Sequence, residues 1–492
     1  MTRRAWGMLS TVALLSWQCD CFYQAAFASG VARLNQPQCR AGRTACRVRE
    51  RGPRPRSQRQ TRGDHTPAKV ITSRIKGAAS ASEVLDLMQA ERGNPELNLI
   101  SVSAAWSRLV RLQHSITPDV ANDSSLMMLM QRTRTLLEEA PPEARAVANM
   151  CWAATRLQGC LSSQLTSLQQ SLDQAVRVSA NQMNAQEVAN MIWTLEKRYA
   201  EGSDSDSEAS LGLLLLLAGR LPSVISAMNA QAVSNVIWTS AKLAATDPDA
   251  NVFSGLLPLL AGRVPYVISD MNAQGVANAV WAIAKLSATG TDAEALLGTL
   301  PVLAGRVPAV TKQMNTQHVA NVMWATGQLS QRHASRATDI REVLPIIVDQ
   351  AVAVIRQATP QALANSCWGL ALSLYSDTGF LQAVATRVVD EADGWHSRGA
   401  ELTLPSLLCA FARLKAAGYE DMLDGACTRL APMLTQINDW GLCTLSWSHH
   451  ELDLNDNFLP FRQRLEEEVL SRGFSKHDVE RSCLGPETWR TR

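Results

Sequence analysis

Four positions of one recurring segment carry the residues best suited to chemistry in this chain of 492 residues. In the copy QGVANAVWAIAKL they are Gly275, Asn278, Ala282 and Lys285, spaced so that all four share one face of an α-helix. Other copies put Glu187, Asn190, Thr194 and Lys197 on that line, then Asn235 with Lys242, His318 and Asn321 with Gln328, Asn149 with Arg156, and Asn365. The first position varies, the second stays asparagine, the third stays small, and the fourth is usually basic or an amide. A variable side chain, a constant amide, a space and a cation at regular intervals suit a surface that handles a polymer of similar but non-identical units. In helical-repeat RNA binders one repeat meets about one base, read by two or three side chains, while cations hold the phosphates. Asn149, Arg156, Glu187, Asn190, Lys197, Asn235, Lys242, Gly275, Asn278, Lys285, His318, Asn321, Gln328 and Asn365 are therefore the candidate RNA contacts. For the asparagines, a lateral hydrogen bond to the next repeat stands as an equal alternative.

The elements that must position this line recur as well. The segment returns around Trp152, Trp193, Trp238, Trp281, Trp324 and Trp368, at spacings of 41, 45, 43, 43 and 44 residues, with weaker members at Trp106, Phe411 and Trp447. A fixed period of this size marks a stacked-repeat protein. The expected fold is all-α, an α-solenoid of about eight to nine helical-hairpin repeats of roughly 41–46 residues. Asn272 and Asn184 fit helix N-caps, Asn184 with Glu187 forms a capping box, and Thr359 precedes Pro360 at the first helical position. On a helical wheel Val276, Val280 and Ile283 face a partner helix, expected in Leu256–Ile268, while Trp281 and its flanking alanines face neighbouring repeats. The line of Gly275, Asn278, Ala282 and Lys285 is then the strip left open. The tryptophans, on a flank, are expected to pack rather than to stack on bases. The recurring Gly-Arg-x-Pro of Gly219–Pro222, Gly262–Pro265 and Gly305–Pro308 predicts a kink or break in the partner helix. Arg134, Arg220, Arg263, Arg306 and Arg429 form a second line of cations there.

Charge is divided along the chain. Residues 1–76 hold 15 Lys/Arg against 3 Asp/Glu, and the remainder holds 32 against 42, so the repeat array carries ten excess negative charges. Bulk charge therefore does not mark a nucleic-acid binder, which would need its cations gathered on one face. Residues 1–27 read as a signal peptide, and the Arg-rich, acid-poor residues 28–76 as a disordered transit segment, together resembling a two-part plastid address. Mitochondrial import and secretion are the alternatives. The array is expected over residues 77–455, with a capping helix and tail over 456–492. The apolar run from Leu211 is too short for a membrane span, so the mature form is expected off the membrane. The acidic insert Glu201–Ser210 reads as a solvated loop. Cys151, Cys367, Cys409 and Cys443 fall in apolar helical patterns as small buried thiols. No phosphate loop, metal box or nucleophile elbow occurs, and no acid/base pair recurs, so neither catalysis nor a metal or cofactor is expected.

The phrases VANMCWAATRL, VANMIWTLEK, VSNVIWTSAKL, VANAVWAIAKL and VANVMWATGQL resemble the core of the octotricopeptide repeat proteins, helical-hairpin arrays of algal organelles. The resemblance covers about residues 98–450. The family's Pro-Pro-Pro-Glu-Trp signature is present only as Pro141-Pro142-Glu143, and the C-terminus does not look like a RAP domain. The resemblance implies sequence-selective binding of single-stranded organelle RNA in support of transcript stability, processing, splicing or translation, with RNA-processing proteins as further partners. The competing expectation is an armadillo-like scaffold whose asparagines hold an extended peptide.

Overall fold

The computed structural model describes residues 67–139, 141–202, 204–247, 252–289, 293–391, 400–416, 418–452 and 458–484. Among these residues the regular elements are all helices, and none is a strand. Of the leader expected over residues 1–76, residues 1–66 lie outside the described residues. The chain divides into two compact units, Met1–Leu172 and Asp173–Arg492.

In the first unit Pro67–Gly77 packs on Leu99–Arg111, burying Ile71 and Ile75. Residues 67–76 are thus part of a folded helix, not of a disordered basic segment. Two isoleucines at i and i+4 give that helix an apolar stripe despite its charge. Trp106 is buried and its Nε1 donates to Thr133 Oγ1 at 3.0 Å, which joins Leu99–Arg111 to Ser124–Glu139. The long element Ala144–Ser179, in which the unit boundary falls, bends at Leu161, where φ is −133° and ψ is 26°.

The second unit is built on a series of tryptophan helices: Ala185–Glu201, Ala230–Thr246, Ala273–Ala288, Thr316–Arg332 and Pro360–Ser373. Ala400–Arg413, Asp439–Glu451 and Lys476–Ser482 continue it, and each member packs on the next. Their starts follow from the caps. Asn184, Asn229, Asn272 and Asn315 accept from amides of the first turn, as does Thr359 ahead of Pro360. The outer helices Asp204–Val224, Leu257–Val267, Leu300–Val310 and Leu344–Val354 lie against the tryptophan helix that precedes each. The partner of the Trp281 helix is therefore Leu300–Val310 rather than the expected Leu256–Ile268.

The reason lies in the Gly-Arg-x-Pro arms. Arg263 donates Nε and a terminal amine to Met228 O at 3.1 and 3.0 Å, and Arg306 Nε reaches Met271 O at 3.0 Å. Gln350 at the same repeat position reaches Met314 O at 2.8 Å. Each side chain thereby ties its outer helix to the carbonyl just before the preceding N-cap. The expected second line of cations is, at Arg263 and Arg306, a set of staples between repeats. The prolines do not interrupt the helices either. Pro222, Pro265 and Pro308 lie inside them, and each helix ends two residues later, where a 3-10 turn follows. So close to a C-terminus, the missing proline N–H costs a single bond and the turn absorbs the strain.

The acidic insert is also helical from Asp204 onward and begins the helix Asp204–Val224. Ser210 is buried and accepts from Arg198 Nε at 2.7 Å, Arg198 grips Asp173 through both terminal amines at 2.7 and 3.0 Å, and Ser207 Oγ donates to Tyr199 O at 2.9 Å. These bonds dock the insert where composition alone favours solvent. The extended helix makes Asp206–Ala227 long and apolar enough to cross a membrane. Its leucines divide between a buried face of Leu213, Leu214, Leu217 and Leu221 and an exposed pair, Leu215 and Leu216, the pattern of a helix laid on a core.

The C-terminus holds one more degenerate copy. Ser475 and Asp478 form a capping box like that of Asn184 and Glu187, and Arg472 donates to Ile437 O at 2.7 Å as Arg263 does to Met228. Residues 458–484 are thus a shortened hairpin, legible in retrospect from Ser475 and Asp478 three residues apart.

Candidate functional site

Two neighbours flank each interior tryptophan helix, so less of it stays open than a single exposed strip requires. Asn235 and Asn278 are buried, with 4% and 7% of their surface exposed. Asn190, Asn321 and Asn365 are half-buried. At the third position Thr239, Ala282 and Ala325 have no exposure at all. Gly369 shows why this position must be small: a Cβ there would stand 2.7 Å from Trp324 N in the neighbouring helix, and one at Gly327 would stand 2.5 Å from Gly369 O.

The variable position turns inward too, contrary to expectation. Ala232 and Gly275 are buried, and Glu187 is 9% exposed and spends its carboxylate on the Asn184 amide at 3.0 Å. His318 does the same for the Asn315 amide through Nδ1 at 3.4 Å. Burial pushes the His318 imidazole down to about 4, so it is neutral at pH 7 and acts as a cap acceptor. A base-reading letter that changes with each repeat is therefore absent from this slot. The helix turns by about 100° per residue, so a small error in the assumed orientation moves such a slot from surface to seam.

What does reach the surface is more uniform. The N-caps Asn184, Asn229 and Asn272 are exposed. Two residues on, a glutamine recurs in five successive copies, Gln186, Gln231, Gln274, Gln317 and Gln361, and all five are half-buried. Reasoning from the helical wheel missed this glutamine, although its constancy was visible in the phrase Met-Asn-x-Gln. Gln186 donates Nε2 to Asn190 Oδ1 at 2.9 Å while its Oε1 accepts from Asn229 Nδ2 at 3.1 Å, so cap, glutamine and asparagine form an amide chain from one repeat to the next.

Cations border this row. Lys197, Lys242 and Lys285 are half-buried at the fourth position. Lys197 lies 3.6 Å from Glu201, Lys242 Nζ sits 5.4 Å from the Trp238 ring centre, and Lys285 Nζ sits 4.7 Å from that of Trp324. The tryptophans form a ladder, with Trp238, Trp281 and Trp324 at successive ring separations of 6.3 Å, and are buried at 4–7% exposure. They anchor the lysine stems through cation–π contact and leave no ring face open for a base. Gln328 is buried and accepts from Arg332 at 2.5 Å, and Leu372 closes the series. Asn149 and Arg156, half-buried, belong to the first unit.

In five consecutive copies the cap, glutamine, asparagine and fourth positions hold no carboxylate, although the array as a whole is acidic. The row offers neutral donors and acceptors edged by positive charge. The chain matches no protein-family model, and comparison with curated proteins gives no match. Among the described residues no group of three His, Cys, Asp or Glu side chains could hold a metal ion. The thiols of Cys367, Cys409 and Cys443 are buried, and burial raises their proton affinity, which makes them inert packing groups.

Proposed function

We propose that the tryptophan helices of the second unit stack as an α-solenoid and hold single-stranded RNA along the row of amides and lysines over residues 184–373. The observation that carries this reading is the acid-free row itself, at the same positions of five successive copies in an array with ten excess negative charges. Cations gathered on one line are what a phosphate backbone requires, and carboxamides can pair with base edges. The resemblance to octotricopeptide repeats points the same way and suggests selective binding of transcripts for their stability, processing or translation. The basic, acid-poor leader supports delivery to an organelle, the plastid first.

The test uses the full chain with Lys197→Gln, Lys242→Gln and Lys285→Gln combined. Because residues 1–76 are themselves basic, the informative quantity is the change in binding, not binding alone. Loss of three phosphate contacts is expected to lower affinity and to reduce the salt dependence by about 2 in log–log slope. An unchanged slope would remove the row from the RNA interface. Uniform amides would also suit the repeating backbone of an extended peptide, and recovery of a basic peptide that competes at this row would favour that second reading.

A further inference from the structure

If RNA lies on this row, the side chains that meet its bases do not differ from repeat to repeat. The position that varies in sequence is not free to read a base: Ala232 and Gly275 are buried between neighbouring helices, and the buried Glu187 and half-buried His318 are occupied in capping boxes. The position that reaches the surface is the same in each copy, the half-buried glutamine at 186, 231, 274, 317 and 361, joined by the half-buried Asn190, Asn321 and Asn365, whereas Asn235 and Asn278 lie buried behind it. A reader built from one repeated letter imposes one preference at each step. It cannot spell a mixed word.

From this, and resting on the RNA reading above, we infer that the row takes a run of one base, adenine, at about one base per repeat. A carboxamide presents a donor and an acceptor side by side, and adenine, through its N6 amine and N7 acceptor, is the base such a group meets in the recurrent bidentate pairing. Uracil, whose N3–H and O4 form the same pattern on a single strand, is the competitor that the test must separate. Guanine recognition would call for arginine or lysine at the base edge. The lysines here stand two turns beyond the asparagine and are held on the tryptophan ladder, a place suited to phosphates. In the Gln186–Asn190–Asn229 chain each amide keeps a donor or lone pair beyond those it spends on its neighbours, so a base can join the network without dismantling it. Five half-buried glutamines set the length of the run. The next copy has Leu404 and Leu408 at the same two positions, both buried, and ends it.

The experiment measures equilibrium binding of the full chain to labelled oligo(A), oligo(U), oligo(C) and a mixed-sequence RNA, each from 3 to 12 nucleotides, in moderate salt. Oligo(A) is expected to bind roughly tenfold or more tightly than the others, with affinity rising to about five or six nucleotides and then levelling. Replacing Gln231 and Gln274 by glutamate should abolish the preference for adenine, while Lys242→Gln and Lys285→Gln should weaken all four RNAs alike. Equal binding of the mixed sequence, or preference for another homopolymer, would overturn the adenine reader and leave RNA binding intact. RNA binding that none of these substitutions moves would overturn the RNA reading of the row as well.

Discussion

The copies from Trp193 to Trp368 and those from Phe411 to the C-terminus stack alike but present different surfaces. Both regions have tryptophan-series helices packed one on the next, side-chain caps at Asn272 or at Asn438 and Ser475, and staples to the carbonyl ahead of a preceding N-cap. Arg263 and Arg306 supply the staple in the first region; Arg387 to Ala358 O at 3.2 Å and Arg472 to Ile437 O at 2.7 Å extend it through the second. The amide row does not persist. Leu404 and Leu408, then Trp440 and Thr444, stand where glutamine and asparagine stood; Lys415 keeps the lysine in the first of these copies and Glu451 replaces it in the second. Stacking therefore persists in copies that keep caps, staples and small seam residues but lack the glutamine and asparagine. Their repetition in five copies asks for another cause, and a shared ligand supplies one.

The largest effect that sharpens this contrast falls on a seam. Gly369→Ala forces a Cβ to within 2.7 Å of Trp324 N and should destabilise the second unit by about 2–3 kcal/mol in denaturant unfolding. The same change at Gly275, in the first turn of its helix, whose Cβ would meet Asn272 and Ser234 at an ordinary 3.5 Å, is the control, and should alter stability by no more than about 0.5 kcal/mol.

A smaller effect, one that differs between the regions, is set by pH. Burial lowers His449 to about 4, helped by the nearby Arg462 and His450 and opposed by Glu466, and burial alone does the same for His318. His449 is packed against Phe458 and Phe461, with neither ring nitrogen hydrogen-bonded. Both pKa values are depressed below the ordinary 6.5, so the unfolded chain takes up protons first. The stability held above pH 6.5 is expected to fall as pH drops toward 4. His449→Leu should flatten that decline for the C-terminal copies, and His318→Gln for the central ones, in unfolding measured across this range. A decline of unchanged steepness in both variants would place the sensitive groups elsewhere.

Much of the scaffold was legible in the sequence because it is local. Asn184 with Glu187, Asn272 and Thr359 with Pro360 declare their caps within four residues, and the spacing of the tryptophans fixes the unit. What failed was non-local. The acidic insert folds because Arg198 and Tyr199 receive it, and Arg263 and Arg306 of the arginine line are consumed by carbonyls 35 residues away. The open strip was misplaced because a helix flanked on both sides keeps only a narrow edge, and the wheel placed Gly275 on that edge where the structure places Gln274.

The central claim is that the amides serve a ligand rather than the stack, and the two regions suggest how to test it. Gln231→Leu with Gln274→Leu gives the central copies the residue that Leu404 already supplies in the later one. Thermal unfolding and RNA binding of the full-length variant are measured together. Tm should stay within a few °C of the parent, because each half-buried glutamine gives way to the leucine that a later stacked copy carries, at a cost of about 0.5 kcal/mol apiece, while RNA selectivity is lost. A clear fall in Tm with binding unchanged would mean that the amides hold the repeats to one another and that no ligand reads them.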